Sequence, residues 1–301
     1  IEYYLEHQPM PLFCFTPDAN FPVCYGEKGH QNATFVSDVL NGNIVEFSGG
    51  IANNVVPDRA TCLVKGDAAS LESNESVSVE AENGLVRLNA NGVGGHASQP
   101  EGTVNAIGLL VYFLLDNNLC TEAENTYLQL LQRLHHGTDG SGLGVACRDD
   151  EFDALTIIGG VIEMKDGRLR QQMDSRFPTA ITGEKLRATL AAEAEKAGAT
   201  LEAGRGVEPF VTPKDSAPIQ ALLGVYNDIS GKNEQPFTMG GGTYARHFKS
   251  AASFGPEEPG EVMPDFVGTI HGANEGMSLK SFLRALKFYI LAMHELQQLE
   301  Y

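Results

Sequence analysis

Ala154-Leu-Thr-Ile-Ile-Gly-Gly-Val-Ile162 and Arg168-Leu-Arg-Gln-Gln-Met-Asp174 are two strand-like runs separated, at the end of the first, by Lys165-Asp166-Gly167. An Asp-Gly pair between such runs is a hairpin signal, because both residues tolerate the positive φ that a tight turn requires. The sequence therefore predicts antiparallel strands over 154–162 and 168–174. On the downstream side, Thr182 is placed to cap a helix running to about 197, Gly198 can terminate it, and a strand follows at 199–204. On the upstream side, residues 85–91 alternate apolar and polar, the period of a half-buried strand. A loop with Gly92, Gly94 and Gly95 then leads into His96. Residues 103–116 are apolar enough for a helix, and Thr121 with Glu124 makes a capping-box pattern that opens another over 121–136. Strand, helix, hairpin, helix, strand is an α+β order, not the steady alternation of a doubly wound sheet.

Beyond residue 206 the texture changes. Residues 216–230 read as a helix. Residues 278–299 read as a long amphipathic helix with Leu279, Phe282, Leu286, Tyr289, Ile290 and Met293 on one face, and that face is expected to pack on a core. Between them, residues 239–276 are rich in Gly and Pro, a composition that inside a domain marks a site more often than a linker.

The whole chain narrows the function classes. Its net charge of −18 argues against nucleic acid and anionic membranes, both of which bind through basic patches. Five cysteines, an odd number with no C-x-x-C spacing, argue against a disulfide framework or a zinc knot and for free thiols in a reducing cytoplasm. No apolar run reaches the length of a membrane-spanning helix.

Several residues have the chemistry of a site. Asp18 stands between two prolines that stiffen its backbone, which suits a ligand and equally an ordinary turn. His271 precedes the last helix in Thr-Ile-His-Gly-Ala-Asn-Glu, and alone it is as readily a surface or core residue. Gly240-Gly241-Gly242-Thr243 can present backbone N–H groups to an anion, although no Lys-Ser/Thr follows as a Walker loop demands.

Together these segments are more specific. Phe15-Thr-Pro-Asp-Ala-Asn-Phe-Pro22 with Glu27-Lys28-Gly29, and Ser48-Gly-Gly-Ile-Ala-Asn-Asn-Val-Val-Pro-Asp58, resemble the dinuclear-zinc dipeptidases of the aminoacylase/carboxypeptidase family, dipeptidase V type. So do Gly94-Gly-His-Ala-Ser-Gln-Pro-Glu101, Asp174-Ser-Arg-Phe-Pro178, Gly241-Gly-Thr-Tyr-Ala-Arg246, Phe254-Gly-Pro256 and His271-Gly-Ala-Asn-Glu275, in the family's order.

The resemblance implies a fold and roles. Residues 1–32 and 206–301 would be parts of an α/β catalytic domain, and 33–205 an inserted α+β lid of antiparallel strands and helices, in a cytoplasmic monomer. Asp18 and His271 would be zinc ligands, one for each of two zinc ions. His96 would help hold the oxyanion of the tetrahedral intermediate. Asn54, Arg176, Gly242 and Thr243 would grip the substrate carboxylate, Arg176 foremost because its fork matches a carboxylate. The reaction would be hydrolysis of dipeptides or short peptides by a metal-activated water. Deacylation of N-acyl amino acids, by the same family, is the alternative enzyme reading, and a non-catalytic carboxylate-binding remnant is the alternative outside enzymes.

The family's His-x-Asp, bridging Asp and Glu-Glu pair precede the segment matching Asp18, and none is found in these roles here. Glu257-Glu258 lies in the family's late loop instead, and His135-His136 are adjacent residues that a helix points about 100° apart. Both pairs are expected to be solvated surface. The expectation is therefore a chain that starts inside the catalytic domain at Ile1, is inactive alone, and has the missing N-terminal fragment as a partner beside its peptide substrate.

Overall fold

Asp166 and Gly167 have φ of 51° and 71°, the backbone of a two-residue primed turn. Lys165 pairs directly with Arg168 across it, so Lys165 closes the strand and does not enter the turn. The computed structural model describes residues 1–268 and 273–300. In chain order its elements begin with α1 (Glu2–His7), β1 (Cys14–Thr16), β2 (Ala19–Asn20), β3 (Cys24–Glu27), β4 (Gly29–Ser37), β5 (Ile44–Gly49), β6 (Val55–Val56), β7 (Arg59–Val64), β8 (Val77–Glu82), β9 (Leu85–Asn91) and β10 (Gly95–His96). There follow α2 (Ala106–Asp116), α3 (Glu122–Leu134), β11 (Thr156–Lys165), β12 (Arg168–Phe177), α4 (Gly183–Lys196), β13 (Ala199–Val207), β14 (Phe210–Val211), α5 (Ala217–Ser230), β15 (Phe237–Met239), β16 (Ala251–Ser253), β17 (Pro256–Glu257) and α6 (Leu279–Gln297). The chain is thus mixed α/β. It divides into two units, 29–209 and 1–28 with 210–301. These limits differ by a few residues from 33–205 because β4 already starts at Gly29 and β13 runs on to Val207.

The 29–209 unit is built on an eight-stranded sheet in the order β13-β4-β12-β11-β5-β7-β9-β8, antiparallel throughout. One face is apolar: Phe35, Cys62, Val64, Leu88, Ile157, Leu169, Met173 and Phe177 are buried with Ile107, Leu110, Leu114, Leu131 and Leu190 of the helices. The opposite face carries the polar alternate residues, as period-2 patterning dictates. Capping fixes where the helices start. Asn105 accepts from Ile107 N at 3.0 Å, and its own amide donates to Gly159 O at 2.8 Å, so α2 begins at 106 and is tied to β11. Residues 103–105, read as helix from composition, are instead held by the bridge between Val93 and Val104. Thr121 and Glu124 form the full capping box. Glu124 does more than cap: its buried carboxylate also accepts from Asn43 N at 3.0 Å and Ile44 N at 2.7 Å, which pins the start of β5 to α3.

The other unit centres on a small mixed sheet ordered β1-β16-β3-β14, with β15 also on β3. Beneath α5 and α6 lies an aromatic cluster, with Phe21 at 4.7 Å from Phe288, 5.0 Å from Phe254 and 5.4 Å from Tyr226 between ring centroids. Edge-on and offset contacts of this kind add to area burial. Here one expectation is overturned. α6 buries Ser281, Ala285, Phe288 and Ala292, whereas Leu279, Phe282, Leu286, Ile290 and Met293 of the predicted core face are all exposed. Only Tyr289 of that set packs against the aromatic cluster. The small residues let the helix approach its neighbours closely, and that decides its orientation.

All five cysteines are free thiols. No helix among the described residues is long and apolar enough to cross a membrane.

Candidate functional site

The polar face of the eight-stranded sheet assembles a charged cluster from two neighbouring cross-strand pairs. Arg176 pairs with His30 across β12 and β4, and Asp174 pairs with Asn32, so all four side chains share that face. Asp174 is 1% exposed. Its carboxylate accepts from Arg176 Nε at 2.7 Å and Arg176 Nη2 at 3.1 Å, and from His30 Nε2 at 2.8 Å. His30 Nε2 also lies 2.8 Å from Asn32 Oδ1. Two acceptors on one ring nitrogen place the proton on Nε2. Burial works to raise the Asp174 pKa, but the hydrogen bonds from His30 and Arg176 prevail and hold it below its ordinary value. The guanidinium is thus clamped along its Nε–Nη2 edge, in a fixed plane.

The same face receives a two-stranded ribbon. β10 pairs with β6, His96 facing Val55, and Ala97 N donates to Asn54 O at 2.9 Å. The ribbon is held by Val56 and Ala97, which pack with Ile158. Ile158 is the cross-strand partner of Asp174 and so points to the face that carries Arg176. Three residues singled out from sequence, Asn54, His96 and Arg176, therefore belong to one side of one sheet. Their local order has a visible cause: Gly160 packs so closely on the Asn53 backbone that a Cβ would lie 2.3 Å from Asn53 O.

His96 is exposed on its short strand. Its Nδ1 accepts from Ser98 N at 3.2 Å and lies 2.8 Å from Ser98 Oγ. An amide N–H aimed at Nδ1 makes that atom the acceptor, so the neutral ring carries its proton on Nε2. Nε2–H is then the donor of the ring.

In the other unit the glycine loop does hold an anion, and the anion is the protein's own. Glu27, 1% exposed, accepts from Thr243 N at 3.0 Å, Thr243 Oγ1 at 2.6 Å and Arg246 Nε at 2.6 Å. Arg246 Nη2 reaches Lys28 O at 3.1 Å and Gly241 O at 3.3 Å. At Gly242 a Cβ would stand 2.8 Å from the Arg246 guanidinium carbon, so any side chain there would push that guanidinium off its place on Glu27. Both donors of Thr243 are committed to Glu27. Direct grip of a substrate carboxylate by Thr243 would require Glu27 to release one of them.

Asp18 is exposed in the link between β1 and β2. His271 lies outside the described residues. Among the described residues no group of three or more His, Cys, Asp and Glu side chains could hold a metal ion. A catalytic zinc needs three protein ligands and a structural one four, so the described residues do not fit a zinc site by themselves.

In each of two pairs expected to be solvated, one member is not. Glu258 accepts from Tyr226 Oη at 2.6 Å, is paired with Lys232, and lies 3.6 Å from Arg284. It is a structural anion because α5 and α6 close around it. His135 ends α3 with its ring against Gly108 and Gly159, and burial pushes its pKa from 6.5 down to about 4. His136, one residue on, is exposed as expected. The sequence reading gave no role to His30, Asp174 or Ser98. The alternation His30, Asn32 against Asp174, Arg176 was the available signal, since period 2 puts each pair on one face.

No protein-family model matches the chain. It is 29% identical over 316 residues to the "Putative dipeptidase YtjP" of Bacillus subtilis (strain 168), an alignment covering 98% of this chain and 66% of the relative. It is 27% identical over 314 residues to the "Beta-Ala-Xaa dipeptidase" of Lactobacillus delbrueckii subsp. lactis, covering 98% of this chain and 65% of the relative. Among solved structures, aminoacylhistidine dipeptidase from Vibrio alginolyticus matches with a TM-score of 0.50 at 14% identity, over 93% of this chain and 64% of that one. At that identity the likeness concerns the fold alone. The chain spans about two thirds of the length of the curated relatives it matches.

Proposed function

We propose that the natural protein hydrolyses dipeptides or short peptides. The carrying observation is the gathering of Asn54, His96 and Arg176 on one sheet face, in a chain that aligns over 98% of its length with relatives named as dipeptidases. In this reading Arg176, its plane fixed by Asp174, binds the substrate's terminal carboxylate, and Asn54 assists it. His96 offers Nε2–H to the scissile carbonyl oxygen as negative charge builds on it. Gly242 supports by allowing Arg246 to close on Glu27, and Thr243 positions that loop. The unit 29–209 is read as the inserted lid and the other as part of the catalytic domain. Zinc is the expected metal, with Asp18 and His271 as ligands that further ones must join.

The test is dipeptide hydrolysis by the protein expressed from its natural reading frame and loaded with zinc, followed as release of free amino acids. His96→Ala should lower kcat with KM little changed, and Arg176→Gln should raise KM. Absence of turnover in the wild type over a panel of dipeptides and N-acyl amino acids would refute hydrolysis. Turnover of the N-acyl amino acids alone would give the function to deacylation.

A further inference from the structure

β5, β7 and β9 carry a second group of polar side chains on the polar face of the eight-stranded sheet. Thr61 is the cross-strand partner of Ser48 on one side and of Asn89 on the other. Arg59 and Asn91 form the next pair on that face, two residues along. All five side chains point the same way, because their chain neighbours Phe47, Cys62 and Leu88 point into the apolar core. With strands about 4.8 Å apart and alternate residues about 7 Å apart, the group spans a patch about 10 Å by 7 Å. Together with Gly49 and Gly50 it lines a cleft of about 460 Å³, a size that small-ligand sites commonly have. Asn54, His96 and Arg176 are not among the residues that line it.

The cleft is rich in donors that the protein does not use. Thr61 Oγ1 donates to Asn89 Oδ1 at 3.2 Å, which leaves the Asn89 NH₂ group unspent. Among the described residues, the side chains of Ser48, Arg59 and Asn91 have no hydrogen-bond or ion-pair partner. For Arg59 that is unexpected in a chain of net charge −18. Its neighbours on the face show the usual pairing. Arg87, two residues before Asn89, is held by Glu82 and Glu46, and Glu163, cross-strand from Ser48, lies 3.7 Å from Arg170. Asp58, next to Arg59 in the chain, stands against Gly94 instead. The Arg59 fork is therefore open, beside hydroxyl and amide groups fixed on strands.

We propose that this cleft binds a small polar anion, with its carboxylate or phosphate on Arg59 and its hydroxyl or carbonyl oxygens on Ser48, Asn89 and Asn91. A guanidinium fork matches either oxyanion in a bidentate way. A cation is disfavoured, because no carboxylate lines the cleft. An apolar ligand is disfavoured as well, because Ala60 and Ala90 are the only apolar side chains in the lining and both turn into the core. The site needs no metal and no reacting group, and it does not rest on the peptidase reading.

The experiment is phenylglyoxal modification of the intact protein, followed at Arg59 by peptide mass spectrometry. The added anion is inorganic phosphate or succinate, with sodium chloride at matched ionic strength as the reference. Arg148 and Arg205, exposed in the same unit, are internal controls. The expected result is saturable protection of Arg59, about tenfold with the anion at about ten times its dissociation constant, while the two controls react as before. Protection by phosphate alone supports the proposal and assigns the site to phosphorylated ligands; protection by succinate alone supports it and assigns the site to carboxylates. Ser48→Ala and Asn91→Ala, both at exposed positions, should each weaken the protection. Equal protection of all three arginines would overturn the proposal, since that is general screening of charge. No protection of Arg59 by either anion would overturn it too, as would protection undiminished in both variants. The readout needs no turnover, so it is independent of whether the protein hydrolyses peptides.

Discussion

Asp174 illustrates how one buried carboxylate can organise a surface. It faces two basic side chains at hydrogen-bond distance while almost wholly withdrawn from water. Removing one member of such a buried pair typically costs about 3 kcal/mol or more. Asp174→Ala should therefore lower unfolding stability by about that amount in urea titration, and it should also free the plane of Arg176. Because the folded pKa of Asp174 is depressed, its contribution is present above the ordinary carboxylate value and is lost as pH falls through the folded one. His135 acts over a higher window. Its pKa is lowered from 6.5 to about 4, so between those values the unfolded chain binds the proton and the folded chain does not. Stability should fall as pH drops from 6.5 toward about 4, by about 3 kcal/mol at most. Urea titrations across that range should show the slope, and His135→Gln should flatten it. Of the candidate site, Asn54, His96 and Arg176 were singled out only through the motifs that carry the resemblance. His30 was not, because one histidine on a strand has no signature until its cross-strand neighbour is known. Thr243 was legible as an anion holder, but the buried Glu27 that it holds could be identified only from the tertiary structure.

At the scale of elements, local signals served wherever the cause was local. The Asp166-Gly167 turn, the capping box of α3 and the Thr182 cap of α4 all depend on residues within a few positions of one another. Glu124 shows where such a signal stops. The capping box predicts its bond to Thr121, whereas its bonds to Asn43 and Ile44 join elements some eighty residues apart. Glu124→Ala should therefore cost more than the ~1 kcal/mol of an ordinary cap, on the order of 3 kcal/mol, because buried N–H groups of β5 lose their acceptor. Thermal unfolding of the variant checks this, and a loss no larger than for Thr121→Ala would show that the link to β5 is weak. Acid should have a related effect: hydrogen bonds from backbone N–H groups and Thr121 outweigh burial and lower the Glu124 pKa, so its contribution fades as pH falls through that depressed value. The face of α6 was misread for a physical reason. Periodicity identifies the larger hydrophobic stripe, but Ala and Ser packed better against the neighbours that the chain supplies.

For the molecule as a whole, the α+β order was readable, since hairpins and caps follow one another along 85–204, whereas the division into an inserted and a flanking unit was implied by the resemblance alone. Metal binding was readable only as an expectation, and the described residues bring no three ligands together. The 301-residue chain, dialysed against buffered zinc, should accordingly retain fewer than two ions per molecule by elemental analysis. Two tightly held ions would show that these residues alone make the centre. The two-sidedness of α6 has a bearing on how the protein is assembled. Ranked by hydrophobic gain alone, the helix would settle with its leucines inward, rotated about 140° from where it lies. Its native roll therefore depends on Phe288 seating in the aromatic cluster, against which the outward leucines offer a competing packing.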